Sequence, residues 1–238
     1  MIKTSLILCG GKGSRLKKRV NNSPKILAKI NGTPFIHYQL KWLQDQGIVK
    51  VFLLTKYMSK QIIKFVDNNY SKYNLKIKIF EEKNFLGTGG AIKNFYLCNK
   101  INSHCLILNG DTHFNIKKIS NYYKFHLNNK FLVSIGAAKI LNANRYGGIK
   151  KKYGCLKSIE NTKKNEKNKL VFAGLMIAKL NQFKVIKKNI FQLEDFFNEY
   201  KNSKNIGVYS FKKRNFFYDF GTVESYDAIS KKGFINKK

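Results

Sequence analysis

Apolar and polar positions along the chain fall into short, evenly spaced blocks. Ser5–Cys9 is an apolar run that passes straight into glycines, the pattern of a buried strand ending in a tight turn. Lys25–Ile30 is a second short apolar piece, closed by the turn dipeptide Asn31-Gly32. From Pro34 onward Phe35, Ile36, Leu40 and Leu43 fall near helical spacing, which predicts a helix up to Gly47. Val51–Leu54 then reads as a buried strand, and 59–68 as a helix with Ile62, Ile63 and Val66 on one face. Leu75–Phe80 is an alternating strand.

Glu81–Ala91 is a loop with three glycines in four positions, leading into a helix that carries Ile92, Phe95, Tyr96 and Leu97. The pattern continues with a strand at Cys105–Leu108 ending in Asn109-Gly110-Asp111, a helix at Ile116–Asn128 and a strand at Phe131–Ala137. Strands alternating with helices of this size predict an α/β fold, a mostly parallel sheet covered on both faces. The last hundred or so residues read differently: Arg145–Ile149, Gly154–Ile159 and Leu170–Ala178 suggest a late antiparallel β insertion, with Asn161–Lys169 as a polar loop. Phe191–Tyr200 reads as a helix, Ile206–Ser210 and Phe216–Gly221 as strands, and a final helix starts at Val223. Without a repeat or a firm boundary, the expectation is a single domain over residues 1–238.

Composition changes the picture in one respect. With 46 Lys and Arg against 13 Asp and Glu, the formal net charge is +33, which raises the question of nucleic acid. Lysine is spread along the whole chain together with Asn, Ile, Phe and Tyr, residues with A- and T-rich codons, and no zinc-finger or RRM signature appears. No specific nucleic-acid partner is expected, although the positive field favours anionic substrates. Cys9, Cys98, Cys105 and Cys155 form no C-x-x-C pair, and the first three sit in or beside apolar runs, as buried thiols in a reducing compartment would. The N-terminal apolar run is too short for a signal-peptide core and no run approaches transmembrane length, so a cytoplasmic protein without a membrane partner is expected.

Three places carry candidate chemistry. Gly10, Gly11 and Gly13 match neither G-x-G-x-x-G, since Leu16 stands where the third glycine belongs, nor the P-loop pattern. What remains is a nest of backbone N–H groups followed by Arg15 and Lys25, suited to a polyphosphate, or else a purely structural turn. Asp111 follows a buried strand, and the carboxyl ends of strands form the ligand crevice of open α/β sheets. There it can hold Mg²⁺, or serve as an Asx-turn or helix cap. Asp219, in Tyr218-Asp219-Phe220-Gly221-Thr222, stands at another strand end. Magnesium on a triphosphate needs one or two protein carboxylates, so two such aspartates in an acid-poor chain suggest a pair.

GGKGSRL at Gly10–Leu16, Pro24-Lys25, NGTPFIHYQL at Asn31–Leu40, LGTGGA at Leu86–Ala91, NGD at Asn109–Asp111 and DFGTVESY at Asp219–Tyr226 come in an informative order and spacing. The chain thereby resembles the sugar-1-phosphate nucleotidylyltransferases over nearly its whole length, most of all the small guanylyltransferases acting on heptose or mannose 1-phosphate. The resemblance implies a Rossmann-like three-layer fold of the nucleotide-diphospho-sugar transferase type. It puts Leu8, Gly10, Gly11 and Gly13 along the nucleotide, Arg15 on its phosphates and Lys25 near the reacting phosphates, with Asp111 and Asp219 on Mg²⁺. Gly87, Thr88, Gly89 and Gly90 match the loop around base and ribose, and Gly148, Glu160 and Gly174 the sugar side. Two departures stand out. Phe172 precedes Ala173-Gly174 where the family often has Asn, and the usual Glu-Lys pair appears as Glu160-Asn161, with Lys163 two positions on.

The implied reaction is in-line attack of a sugar 1-phosphate oxygen on the α-phosphorus of a nucleoside triphosphate, releasing pyrophosphate. Positioning and charge stabilisation suffice, so no covalent nucleophile is needed. His37, His104 and His126 read as surface or packing residues, with His113 the histidine nearest Asp111. Glu81 or Glu82, just before LGTGGA, can accept from the N1–H and N2–H₂ edge of guanine, which makes GTP the expected nucleotide. The alternatives are uridylyl, thymidylyl or cytidylyl transfer to another sugar phosphate or phosphocholine, and a nucleotide-binding regulatory subunit without activity. An oligomer is compatible with every one of these.

Overall fold

The computed structural model describes residues 1–16, 19–20, 23–140, 146–160, 169–200, 205–211 and 217–232. Lys163 and most of the expected polar loop lie outside them. In chain order the elements are β1 (Thr4–Leu8), a two-residue pair β2 (Lys29–Ile30) and β3 (Thr33–Pro34), α1 (Phe35–Asp45), β4 (Lys50–Thr55), α2 (Ser59–Asn69) and β5 (Lys76–Glu81). There follow α3 (Gly87–Asn99), β6 (His104–Asn109), β7 (Thr112–Phe114), α4 (Ser120–Asn128) and β8 (Val133–Ile140). The last part holds β9 (Gly148–Lys152), β10 (Cys155–Glu160), β11 (Lys169–Lys179), α5 (Leu193–Tyr200), β12 (Ile206–Ser210), β13 (Phe217–Asp219) and α6 (Val223–Lys232).

The chain divides into two compact units. One comprises Lys3–Phe85, Leu108–Lys118 and the segment from Phe217 onward. Its strands β5, β4 and β1 lie side by side and parallel, with Leu6 opposite Phe52 and Phe52 opposite Lys78. The interiors of β1 and β4 are near-continuous apolar runs because both faces are covered, whereas β5 alternates and is the outermost strand of the order. Helix α1 buries Phe35, Ile36, Leu40, Trp42 and Leu43, each worth about 1.5–3 kcal/mol relative to exposure. Gln39 lies on the same face and is itself buried.

The other unit comprises Met1–Ile2, Leu86–Ile107 and Ile119–Phe216. Its strands run in the order β11-β8-β12-β10-β9, and β9 also pairs with β11. Here β12 is parallel to β8, while β11 with β8, and β10 with both β9 and β12, are antiparallel. The expected late antiparallel strands are therefore present, within a mixed α/β fold.

Three expectations need correction. The helix foreseen at Ile116–Asn128 starts only at Ser120, because Thr112–Phe114 is a strand paired with β13. Its partner lies about a hundred residues away, and three residues are too few for a period to show. The glycines of LGTGGA belong to the first turn of α3 rather than to a loop before it. Finally, Cys98 and Leu97 are exposed on the outer side of that helix, while Cys9 and Cys105 are buried.

Candidate active site

In the first unit, β1 ends at Leu8, whose carbonyl accepts the Gly110 N–H at 2.9 Å. Cys9 is tied to β4 by N–H and thiol bonds to the Leu54 carbonyl, at 2.9 and 3.2 Å. Burial, aided by the Glu82 carboxylate, pushes the Cys9 thiol far up, so this cysteine stays an inert packing group. The glycine turn follows. A Cβ on Gly10 would stand 3.0 Å from Glu82 Oε1 and 3.4 Å from Lys56 Cβ, so glycine permits the buried Glu82 to close against the turn. Gly11 faces open space, and Gly13 lies against the Lys25 side chain. Arg15 sits on the exposed side of the short 3₁₀ turn Ser14–Leu16, whose Leu16 is fully buried. Lys12, from the middle of the glycine turn, and Lys56 both lie over the Phe85 ring, at 4.8 and 5.8 Å from its centroid.

The two aspartates are brought together by the pairing of β7 with β13, which sets Asp219 opposite Thr112. Asp111 occupies the turn between β6 and β7, and its carbonyl accepts the Phe220 N–H at 3.3 Å. Its Oδ1 accepts from the Thr112 hydroxyl at 3.2 Å and its Oδ2 from the Lys25 ammonium. Asp219 Oδ1 accepts the Gly221 N–H at 2.5 Å, and Lys25 Nζ lies 3.6 Å from the point a Gly221 Cβ would occupy. Lys25 also packs over the Phe220 ring at 5.5 Å, and Phe220 is held by Phe35 at 4.4 Å between ring centroids. Asp111 is thus a turn residue whose carboxylate faces a cation rather than the cap of a helix.

Gln39 escaped the sequence reading. From α1 its side-chain amide donates to Asn109 O at 2.8 Å and to Thr112 O at 2.9 Å, bracketing the Asp111 turn. The signal was there: one polar residue in an otherwise apolar helix face. His113 projects between Tyr38 and Tyr218, and burial lowers its pKa to about 4, so it is neutral near pH 7 and acts as a packing group. His37 bonds the Tyr73 hydroxyl, while His104 and His126 pack edge to face, as expected of structural histidines.

No cluster of three or more His, Cys, Asp or Glu side chains exists among the described residues. Two hard carboxylates, one of them paired with a lysine, fit an octahedral magnesium that takes its remaining ligands from water and phosphate oxygens, and would not make an all-protein cage. The ammonium on Asp111 stands where the protein itself supplies positive charge.

In the second unit, the first turn of α3 is occupied by its own chain. Gly89 and Gly90 N–H both reach Phe191 O at 3.1 Å, while Thr88 N and Oγ1 donate to Gln192 Oε1 at 3.2 and 3.1 Å. A Cβ on Gly89 or Gly90 would fall 2.4 Å from the Phe191 ring or from Asn189 O, so these glycines admit a neighbouring segment. Of the sugar-side residues, Gly148 pairs with Glu160 across β9 and β10 and with Val171 of β11. Gly174 (φ +72°) sits in β11 where the register with β8 shifts. Glu160 accepts from Lys150 at 2.8 Å and Ser158 at 3.0 Å, and these bonds, with Lys169 nearby, hold its carboxyl below the usual range. The Lys169 side chain crosses Gly148, with Cδ 3.0 Å from the Cβ position.

A glycine turn, basic residues and strand-end aspartates gathered in one place suit a phosphorylated ligand. The sequence profile of the Nucleotidyl transferase family matches residues 4–233, and the chain belongs to that family. It is 31% identical to the D-glycero-alpha-D-manno-heptose 1-phosphate guanylyltransferase of Campylobacter jejuni, over 93% of this chain and 96% of that one. Among solved structures, HddC from Yersinia pseudotuberculosis complexed with GMP-PN superposes with a TM-score of 0.81 at 27% identity, covering 97% of this chain and 99% of the other. A putative glucose-1-phosphate thymidylyltransferase from Bacillus anthracis, with TM-score 0.84 and 19% identity over 100% and 98% of the two chains, shares the fold. The fold is that of the nucleotide-diphospho-sugar transferases, as the sequence motifs implied.

Proposed function

We propose that the protein transfers GMP from GTP to a sugar 1-phosphate, with D-glycero-D-manno-heptose 1-phosphate as the acceptor, releasing pyrophosphate. The observation that carries this reading is the pairing of β7 with β13, which brings Asp111 and Asp219 together beside Lys25. The likeness to the Campylobacter heptose 1-phosphate guanylyltransferase and to HddC with GMP-PN supports both the base and the acceptor. One family profile running from residue 4 to 233 supports the whole chain acting as one nucleotidyltransferase domain.

In this reading Leu8, Gly10, Gly11 and Gly13 offer backbone to the nucleotide and Arg15 gathers the departing pyrophosphate. Lys25 balances the charge on the phosphates that react, and Asp111 and Asp219 would hold Mg²⁺. Bound there, the ion supplies Lewis-acid neutralisation of phosphate oxygens. Of the two candidate glutamates, the buried Glu82 suits base recognition better than the exposed Glu81. A carboxylate already removed from water discriminates strongly between a partner that donates to it and one that does not. Gly87–Gly90 take the base-and-ribose role, and Gly148, Glu160 and Gly174 the sugar.

The test is a matrix of nucleoside triphosphates against sugar 1-phosphates in Mg²⁺, followed by pyrophosphate release. GTP with the heptose 1-phosphate should give the highest kcat/KM. A preference for UTP, dTTP or CTP would refute the guanine assignment, and a preference for another sugar would refute the acceptor.

A further inference from the structure

Lys93 is a lysine with no evident place in nucleotidyl transfer, yet it is buried, with 8% of its surface exposed. It sits in the second turn of α3, and its ammonium meets no carboxylate among the described residues. Instead it donates to oxygens of one consecutive segment: Ile186 O at 2.8 Å, Lys188 O at 3.0 Å, Asn189 Oδ1 at 3.1 Å and Lys187 O at 3.3 Å. A short irregular segment has here been wrapped around a cation supplied by the helix.

The same segment continues directly into the residues that grip the start of α3. Phe191 O takes the Gly89 and Gly90 N–H groups, Phe191 N donates to Leu86 O at 2.9 Å, and Gln192 Oε1 takes both donors of Thr88. The Thr88 hydroxyl in turn accepts the Leu193 N–H at 2.9 Å. A helix terminus leaves its first N–H groups unsatisfied and frays unless something caps it, and a turn rich in glycine frays most readily. The strap 186–192 therefore acts as the cap, and Lys93 fastens the strap from below.

We propose that Lys93 is a positioning residue for nucleotide binding: by fastening the strap 186–192 it holds the turn Gly87–Gly90 in the conformation that receives the base and ribose. The inference rests on the proposed role of that turn. Its energetic content is preorganisation. When the turn is ordered before the nucleotide arrives, binding does not have to supply the ordering entropy, and apparent affinity falls in proportion to the fraction of molecules with the turn in place. Lys187–Ile190 are exposed between the buried Ile186 and Phe191, so carbonyls released from Lys93 can turn to water, and the middle of the strap can loosen while its two ends stay anchored in the core.

The test compares wild type with Lys93→Met, which keeps the bulk of the stem and removes the donors, Lys93→Arg, which keeps a cationic donor, and Gln192→Ala, at the exposed end of the strap. The expected result for Lys93→Met is a rise in KM for GTP of about tenfold, with kcat and the KM for sugar phosphate within about twofold of wild type. Arginine should recover part of the loss, and Gln192→Ala should raise the GTP KM in the same selective way. A lowered melting temperature with unchanged KM for GTP would overturn the proposal, since Lys93 would then serve only the fold. If Lys93→Met does not fold, Gln192→Ala decides, and an unaltered KM there also overturns it. A wild-type enzyme that turns over no nucleoside triphosphate would instead refute the functional reading itself, a separate outcome seen before any variant is made.

Discussion

Replacing Lys25 with alanine is the sharpest perturbation of the proposed site. Its ammonium pairs with Asp111, lies over Phe220 and points toward the Asp219–Gly221 turn, with the paired side chains only 18% and 28% exposed. A unit-charge pair about 4 Å apart has a Coulomb energy of about 4 kcal/mol at the effective dielectric of partly buried sites, most of it offset by desolvation. The folded state should therefore lose only about 1–2 kcal/mol, and the apolar core beneath is untouched. Catalysis should lose more, because a preorganised charge aimed at the reacting phosphates acts on the transition state. Removing one such donor costs about 2.7–4 kcal/mol, or about 10²–10³ in kcat. The assay is initial-rate pyrophosphate release with saturating substrates, accompanied by thermal melts. A magnesium titration adds a second reading: with the competing ammonium gone, the Mg²⁺ concentration for half-maximal rate should not rise. A kcat within about fivefold of wild type, in a protein that melts normally, would refute the role given to Lys25.

Asp111→Asn and Asp219→Asn should each abolish turnover in Mg²⁺ while circular dichroism and melting stay near wild type, since each amide keeps the volume but loses the charge. Glu82→Gln should lower kcat/KM for GTP and narrow its margin over ITP, which lacks the 2-amino group, and a GTP/ITP ratio that does not change would remove Glu82 from base recognition. Gly89→Ala should destabilise by about 1–3 kcal/mol in urea melts, because its methyl would fall 2.4 Å from the Phe191 ring. His126, buried against Ser134 at 2.7 Å, has its pKa lowered to about 4 by burial, with His104 and Lys179 adding to the effect. The unfolded chain, with an ordinary histidine, binds more protons between pH 6.5 and 4. The stability His126 contributes is thus complete above about pH 6.5 and is lost as pH falls, at up to about 1.4 kcal/mol per pH unit. His113, lowered to about 4 in the same way, adds a similar loss, so unfolding free energies from urea melts should fall between pH 6.5 and 5 and His126→Gln should make that fall shallower without abolishing it.

Much of the site was legible because its signals are local. The glycine turn after β1, the aspartates at the ends of β6 and β13 and the Pro24-Lys25 step are each short patterns that can be read off the chain, although each alone leaves a structural alternative open. Their order along the chain supplied the family. The strands β1, β4 and β6 were equally plain, since a strand buried on both faces announces itself as an apolar run. What stayed ambiguous was whatever depends on a distant partner. That Asp111 caps no helix became visible only once β13 paired with β7, because three residues carry no periodicity and the helix it was expected to cap begins only at Ser120.

The sequence by itself determined the class of fold and the family and named the candidate phosphate-handling residues, all of which rest on residue types within a few positions of one another. Only the tertiary structure decided that Lys25 faces Asp111, that Gln39 brackets the Asp111 turn, that Glu82 rather than Glu81 is buried, and that LGTGGA is clasped by residues about a hundred positions later. The physical reason is common to all four: each is a hydrogen bond, an ion pair or an exclusion of water between segments that the chain joins only by folding. No local propensity encodes them.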